Sequence, residues 1–523
     1  MFAKNKKIWI YALVFLIIAF GFFLRFYNIE NTPPGVYPDE AANGEDALRA
    51  NETGNYQWFY PNNTGREGLF MNLIALCFKL FGANIIALKL PSIIFGALSI
   101  FGTYLLTKEL FKNTRMGLIA AFLYASSFWA ISFSRISFRA NMLPFVLVFS
   151  FYFLFKGLRT KRWWDFAIGG FIFGIGMHTY IAWRVAPLVL VLMLIFFVLS
   201  RKKFLQEYWK SILVFLLFSF ISAFPMFLTF YQHPEYLDSR SDSISILSPA
   251  INNGHLVITF LKSFFLSLIK YNFIGDMNWR HNFRPYPLLD PLTGIAFIFG
   301  IFISIKIFFQ ALRSRIAKKI FNVHLEQHAF LLLWFFILLI PEFMTGEGNP
   351  HALRSIGTLP VVIILAAFAF EHYIKKLEDA NKKYKKNILA LTLLVLLSIG
   401  IFNSLKYHIF WAQKEPVADS FNKNVTDIYR FVETLPKNQK KYIITTTNTL
   451  IKLPIYIFTS EDTTIKYFYP YELDKIKPVN ANNSIFIFME KNEEAINYIQ
   501  TKYPQLVFEE KDCTLGSKFY ILK

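Results

Sequence analysis

Asp39 and Glu40 stand side by side directly after Pro38, in the stretch GVYPDEAANGEDALRA at 35–50, within a chain whose 55 Lys and Arg outnumber its 35 Asp and Glu. A carboxylate within hydrogen-bond reach of a hydroxyl can take its proton as that hydroxyl attacks. One carboxylate suffices where the displaced group already leaves well, so the two spaced acids of a glycoside hydrolase are not needed. Read alone, the pair is also a helix cap and its solvated neighbour. Four arginines form a second set: Arg135 and Arg139 in SRISFRAN, Arg184 in HTYIAWR and Arg354 in GNPHALRS. Guanidinium groups grip phosphate with two parallel hydrogen bonds and stay charged near lipid; the plainer reading is a side chain reaching from helix to headgroup. Arg66 and Glu67 in NNTGREG either join this set or pair with each other. His178 reads as a hydrogen-bonded helix residue ahead of a base, and His351 precedes Arg354.

What positions these residues is a membrane. Hydrophobic residues make up 54% of the chain, with 61 Phe and a mean hydropathy of +0.38, which no soluble protein of 523 residues carries. Crossing a bilayer takes about 20 apolar residues in helical form. Runs of that kind fall near 8–26, 85–106, 116–133, 141–158, 165–181, 184–200, 211–231, 289–309, 328–344, 355–373 and 387–405, so the expectation is a multi-spanning α-helical protein of about eleven spans. The first follows a basic leader, MFAKNKK, and reads as a retained anchor.

Orientation follows from the cations. Alternate short loops carry 24 Lys and Arg on one side, against Arg135, Arg139, Arg184 and Arg354 on the other. Positive loops stay in the cytoplasm, so the N-terminus is expected there. The loops 27–84 and 232–288, and everything after 405, are then expected outside. The net charge of +20 thereby orients the chain, and a nucleic-acid partner gets little support. Within the first outer loop, DEAANGEDALRA reads as a short helix opened by the acids, and 65–82 as an apolar helix along the membrane surface. HLVITFLKSFFLSLIKYNF in the second large loop has the same character.

From 412 the pattern shortens to KYIITTT, LPIYIFTS, TIKYFYP and NSIFIFMEK, which are strand-like, with helical candidates at 415–435 and 492–503. The expectation is therefore a 1–405 transmembrane domain followed by a small α/β domain over 412–523. No glycine-rich phosphate loop occurs, and the two cysteines show no ligand spacing. No outer segment offers a His/Asp/Glu set at metal-ligand spacing either, so neither cofactor nor metal is expected for the chemistry.

One outward helix, an acidic pair, surface helices, further spans and an outer tail together resemble the GT-C glycosyltransferases. The bacterial branch of the protein O-mannosyltransferase and aminoarabinose transferase family is most similar, on PDEAANGEDAL, NNTGREGLFMNLIALCFKLFG, ALKLPSIIFGALSIFGTYLL and SRISFRAN. The resemblance implies inverting transfer of a sugar from a polyprenyl-phosphate donor to a lipid, glycan or protein acceptor at the outer face of a bacterial plasma membrane. It implies Asp39 as catalytic base, with Glu40 the second acid of the motif. Arg66, Arg139, Arg184 and Arg354 are then expected to bind the donor phosphate, with Glu67, Arg135, His178 and His351 in support. The alternative is a transporter or flippase of lipid-linked sugars. It would place ionisable residues within the spans, and these runs hold few.

Overall fold

The computed structural model describes residues 2–237, 245–318, 323–346, 348–445, 464–476, 480, 483–512 and 518–523. Contacts divide the chain into two compact units. The first comprises Met1–Tyr27, Gln57–Phe70 and Pro91–Tyr407; the second comprises Asn28–Tyr56, Met71–Leu90 and His408–Lys523.

The first unit is helical, because a backbone in hydrocarbon must meet its own hydrogen bonds. Among the described residues, nine helices are long and apolar enough to cross a membrane. The pair Thr114–Ser126 and Phe128–Ser134, bent by 58°, makes ten if it counts as one span. The remaining stretch expected to span, 165–181, is the 13-residue helix Trp163–Ile175 followed by the turn Gly176–His178. At 1.5 Å per residue the helix alone runs about 20 Å, and the turn carries the chain further towards the thickness of a hydrocarbon core of about 30 Å. Hydropathy over that window counts apolar residues in the turn as if they continued the helix.

The bend has an identifiable cause. Ser127 is extended (φ −60°, ψ 125°) and restarts the chain as the N-cap of the second helix, its Oγ accepting from the Ala130 amide. That break frees carbonyls on the preceding helix. Arg25, fully buried, takes them up, donating to the Ala125 carbonyl at 2.9 Å and the Tyr124 carbonyl at 3.3 Å, with Nε to Ser134 Oγ at 3.1 Å. Arg135 reciprocates, donating to the Leu24 and Tyr27 carbonyls at 2.8 and 2.7 Å, and its guanidinium lies 5.4 Å from the centre of the Tyr407 ring. Two buried arginines thus close the carbonyl ends of two helices, the role such termini demand.

In the second unit, Asp39 and Glu40 open the helix Pro38–Thr53, which has proline in its first turn and stops at Gly54 (φ +72°), a conformation that costs glycine little. The Glu40 carboxylate accepts from the Tyr37 amide at 3.1 Å and is fully buried, so the second acid is spent on the helix start. Asp39 is half-buried. The apolar helix Leu69–Phe81 docks on this one through Asn51, which donates to the Ala75 carbonyl at 2.9 Å.

The tail carries a five-stranded sheet. β1 (Phe59–Tyr60) and β2 (Arg66–Glu67) form a small hairpin in the first unit, and the sheet proper is built from β3 (Lys440–Ile444), β4 (Ile465–Phe468), β5 (Ser484–Phe488), β6 (Phe508–Asp512) and β7 (Lys518–Leu522). Its order is β4-β3-β5-β7-β6, parallel over the first three and antiparallel over the last three. Every residue of β5 is buried. Ile485 and Ile487 pack under the helix Lys423–Glu433, while Phe486 and Phe488 pack under the helix Glu493–Lys502, so helices cover both faces. LPIYIFTS lies outside the described residues. β6 and β7 go beyond the strands expected from sequence; FEEKD has the charged composition of a sheet edge.

The helix Lys423–Glu433 also grips the segment leading to Asp39. Arg430 donates to the Glu30 carbonyl at 2.8 Å and to Asn31 Oδ1 at 3.1 Å, and the Val36 amide donates to Thr426 Oγ1 at 3.2 Å. Between these contacts Gly35 runs so close that a Cβ there would sit 2.3 Å from the Phe421 carbonyl oxygen. Gly35→Ala is therefore expected to cost about 1–3 kcal/mol of stability, measured as a lower unfolding midpoint in detergent, because backbone and not a pliable side chain must give way.

Candidate functional site

Most of the side chains that could bind an anion belong to the first unit. β1 and β2 pair antiparallel, with Phe59 opposite Glu67 and Tyr60 opposite Arg66. The hairpin is pinned by Phe59, which packs against Met226 and Phe230. Arg66 is buried, its Nη2 donating to Asn62 Oδ1 at 2.7 Å. Adjacent strand residues point to opposite faces, and Glu67 meets a different arginine: Arg139 Nε donates to Glu67 Oε2 at 2.6 Å. The two side chains are only 12% and 5% exposed. Arg139 occupies the turn Arg139–Asn141, which Asn141 anchors by donating to the Ser92 carbonyl at 2.8 Å. The Arg139 guanidinium also lies 5.8 Å from the centre of the Tyr180 ring. A charge-assisted bond of that length orients the planar group and leaves its other N–H groups to be shared.

The remaining candidates separate. Arg135 is enclosed, and its guanidinium donates to helix carbonyls. Arg184 donates to the Leu237 carbonyl at 3.2 Å and sits 5.3 Å from the centre of the Phe230 ring. His178 shares a hydrogen bond of 2.9 Å between Nε2 and the Ser222 carbonyl, with its ring 5.4 Å from that of Trp58.

Arg354 and His351 belong to a cluster that sequence spacing does not display. Asp276 Oδ2 accepts from His281 Nδ1 at 3.0 Å and from the Ala352 amide at 2.8 Å, and lies 3.8 Å from His351 Nδ1. Together, Asp276, His281 and His351 present three atoms within 4.8 Å of one another, a set that could hold a metal ion. Burial disfavours the charged form of Asp276, but His281, then His351 and the Ala352 amide, outweigh it and hold the carboxyl below its ordinary pKa. Burial, reinforced by His281 and more weakly by Arg354 and Arg280, pushes the His351 imidazole well below its own, with Asp276 opposing. Beneath the cluster, Lys270 and Glu342 form a fully buried ion pair, and Glu342 Oε1 accepts from the His351 amide at 2.9 Å. Arg280 escapes a count of cations in short loops because it lies in the long 232–288 segment. Its signal was the run WRHNFRP, two arginines around a histidine.

Residues 69–227 match the family described as dolichyl-phosphate-mannose-protein mannosyltransferase. The undecaprenyl phosphate-alpha-4-amino-4-deoxy-L-arabinose arabinosyl transferase of Pseudomonas paraeruginosa is 30% identical over 191 residues, 33% of this chain and 33% of that protein. The match thus spans about a third of the length of this curated relative. Among solved structures, apo ArnT from Cupriavidus metallidurans superposes with a TM-score of 0.52 at 11% identity, covering 100% of this chain and 98% of that one. The oligosaccharyltransferase AglB from Archaeoglobus fulgidus, in complex with an inhibitory peptide and a dolichol-phosphate, gives 0.53 at 14% identity, covering 92% and 69%. The fold of this chain is thus similar to that of ArnT and of AglB.

Proposed function

We propose that this GT-C-fold membrane protein is a glycosyltransferase that moves a sugar from a polyprenyl-phosphate donor to an acceptor hydroxyl at the outer face of a bacterial plasma membrane. The observation that carries the reading is the extent of the fold match, from end to end of the chain, on a sequence similar to an arabinosyl transferase named for its undecaprenyl-phosphate sugar. The dolichol-phosphate held by AglB adds a second polyprenyl-type phosphate on the same fold. In the reaction, the acceptor oxygen attacks the anomeric carbon, Asp39 takes its proton, and the bond from that carbon to the phosphate oxygen breaks with inversion. The electron pair leaves on the polyprenyl phosphate. Arg139 and Arg354 bind that phosphate, with Arg66 and Arg184 in support; no metal or cofactor is assigned a step. Purified protein supplied with radiolabelled polyprenyl-phosphate sugars tests the reading, since an enzyme consumes the donor and a transporter moves it intact.

The same reading places 412–523 outside the cytoplasm as a separate domain and the N-terminus inside, on the ratio of 24 cations to four in opposite short loops. A reporter enzyme fused after residue 405 is expected to be active only on the extracytoplasmic side. Cytoplasmic activity would remove Asp39 and the tail from the outer face together.

A further inference from the structure

We propose that the sheet-bearing tail holds a binding site for a neutral oligosaccharide, in the cavity at the carboxyl ends of β4 and β5. Binding there needs neither donor nor transfer, so the site stands or falls apart from the reaction. The cavity has a volume of about 560 Å³ and is lined by Tyr469, Tyr471, Tyr498, Asp474, Asn492 and Glu494 among others, within the range of about 300–1,000 Å³ common for small-ligand sites. Its place in the fold is the first support. β3, β4 and β5 run parallel, with β4 on one side of β3 and β5 on the other. Tyr469 directly follows β4, while Asn492 follows β5 and caps the helix Glu493–Lys502. Where strand order reverses in this way, the loops at the carboxyl ends part and leave a crevice in which ligands bind.

The second support is the chemistry of the walls. The rings of Tyr469 and Tyr471 stack with centroids 5.2 Å apart and planes 3° from parallel, and Tyr471 is 77% exposed. One ring braces the other, so the pair turns a flat aromatic face to solvent. The turn that carries them is fixed: the Tyr469 amide donates to Glu472 Oε2 at 3.2 Å, Glu472 pairs with Lys475 at 2.8 Å, and Leu473 and Ala495 belong to the hydrophobic core. A face held in place before binding costs little to order when a ligand arrives. A sugar ring matches it, because its C–H groups lie against the negative face of an aromatic ring while its hydroxyls project from the rim. Asp474 and Glu494 as carboxylates accept from hydroxyls. Asn492 accepts from the Ala495 amide through Oδ1 at 2.9 Å, which fixes the side chain and leaves its NH2 group to donate.

The charges nearby select the kind of ligand. Lys475 and Lys491 are paired with Glu472 and Glu493, whereas Asp474 and Glu494 make no ion pair or hydrogen bond among the described residues. The cavity is therefore negative and repels phosphates and acidic glycans. An ammonium ion is held best by aromatic faces set around it, and the parallel rings of Tyr469 and Tyr471 offer one side only.

The test is saturation-transfer NMR on the full chain, purified in a detergent without a sugar headgroup, with maltohexaose, cellohexaose, mannohexaose and the hexamer of N-acetylglucosamine as probes and no donor present. At least one of these is expected to bind with a Kd of about 1 mM or tighter. Tyr471→Ala should weaken that binding about tenfold, the worth of one ring contact, while Tyr471→Phe, which keeps the ring, stays within about twofold. Asp474→Asn combined with Glu494→Gln should weaken it about fivefold through loss of charge-assisted bonds. Neither hexagalacturonate nor tetramethylammonium should displace the bound probe. Should Tyr471→Ala fail to fold, the combined acidic variant decides in its place. Absence of binding by all of these saccharides at about 10 mM, a Tyr471→Ala or combined variant that binds as the wild type does, or displacement by tetramethylammonium or hexagalacturonate would overturn the proposal.

Discussion

Asp39→Asn is expected to lower transfer from a radiolabelled polyprenyl-phosphate sugar by about 100- to 10,000-fold, the range a general base supplies. The amide keeps the size of the side chain at the start of the helix Pro38–Thr53 but cannot take a proton from the acceptor. Glu40→Gln should behave differently, because that carboxylate is fully buried and accepts from the Tyr37 amide. An amide oxygen can still accept that bond, so the loss is one of capping strength, about 0.5–2 kcal/mol in stability, with transfer reduced far less than in Asp39→Asn. Initial rates at saturating donor, alongside unfolding midpoints, separate the two. Near-normal turnover by Asp39→Asn would end the base assignment whatever the stability data say.

The second large effect is expected at Arg139. Removing it as Arg139→Ala leaves Glu67, 5% exposed, as a buried carboxylate without its cation, and breaking a buried pair in this way costs about 3–5 kcal/mol. Stability and function are thus confounded in the single variant. Glu67→Gln combined with Arg139→Ala removes the stranded charge, so the double variant should recover most of the stability and none of the transfer. Arg139→Lys keeps a charge beside Glu67 but loses the planar fork, so its transfer should fall between wild type and the double variant. If Arg139 stabilises charge that builds on the departing phosphate, turnover drops more than donor affinity. Equal drops would mean that it binds donor and transition state alike. A double variant with wild-type transfer would assign Arg139 to holding the hairpin β1–β2 and nothing more.

Several parts of the architecture were legible because they depend on local chemistry repeated along the chain. The spans show as apolar runs long enough for a bilayer, and the helix at Asp39 shows in its proline and its acids. The strands β3, β4 and β5 show as short β-branched and aromatic runs between polar breaks. Where the pattern misled, a single feature was responsible. The 165–181 run reads as one continuous helix on apolar content, yet the α-helix ends at Ile175 and a turn, Gly176–His178, continues it. β6 is not among the strand-like runs because an edge strand with FEEKD has no buried face to advertise.

The sequence by itself determined that this is a many-helix membrane protein with a sheet-bearing tail, and it singled out Asp39, Arg139 and Arg354 by scarcity and motif. Only the tertiary structure decided what those residues touch. Glu67 meets Arg139 across 72 positions and not its sequence neighbour, because a strand turns adjacent side chains opposite ways. Arg135, for which the sequence suggested only a supporting part beside Arg139, donates to the carbonyls of Leu24 and Tyr27, since helix ends in an apolar surrounding must find donors. Asp276, His281 and His351 become a cluster only when two distant segments fold together. Periodicity and composition report the environment of a residue along its own element, whereas pairings of this kind arise from packing between elements, which no local pattern encodes.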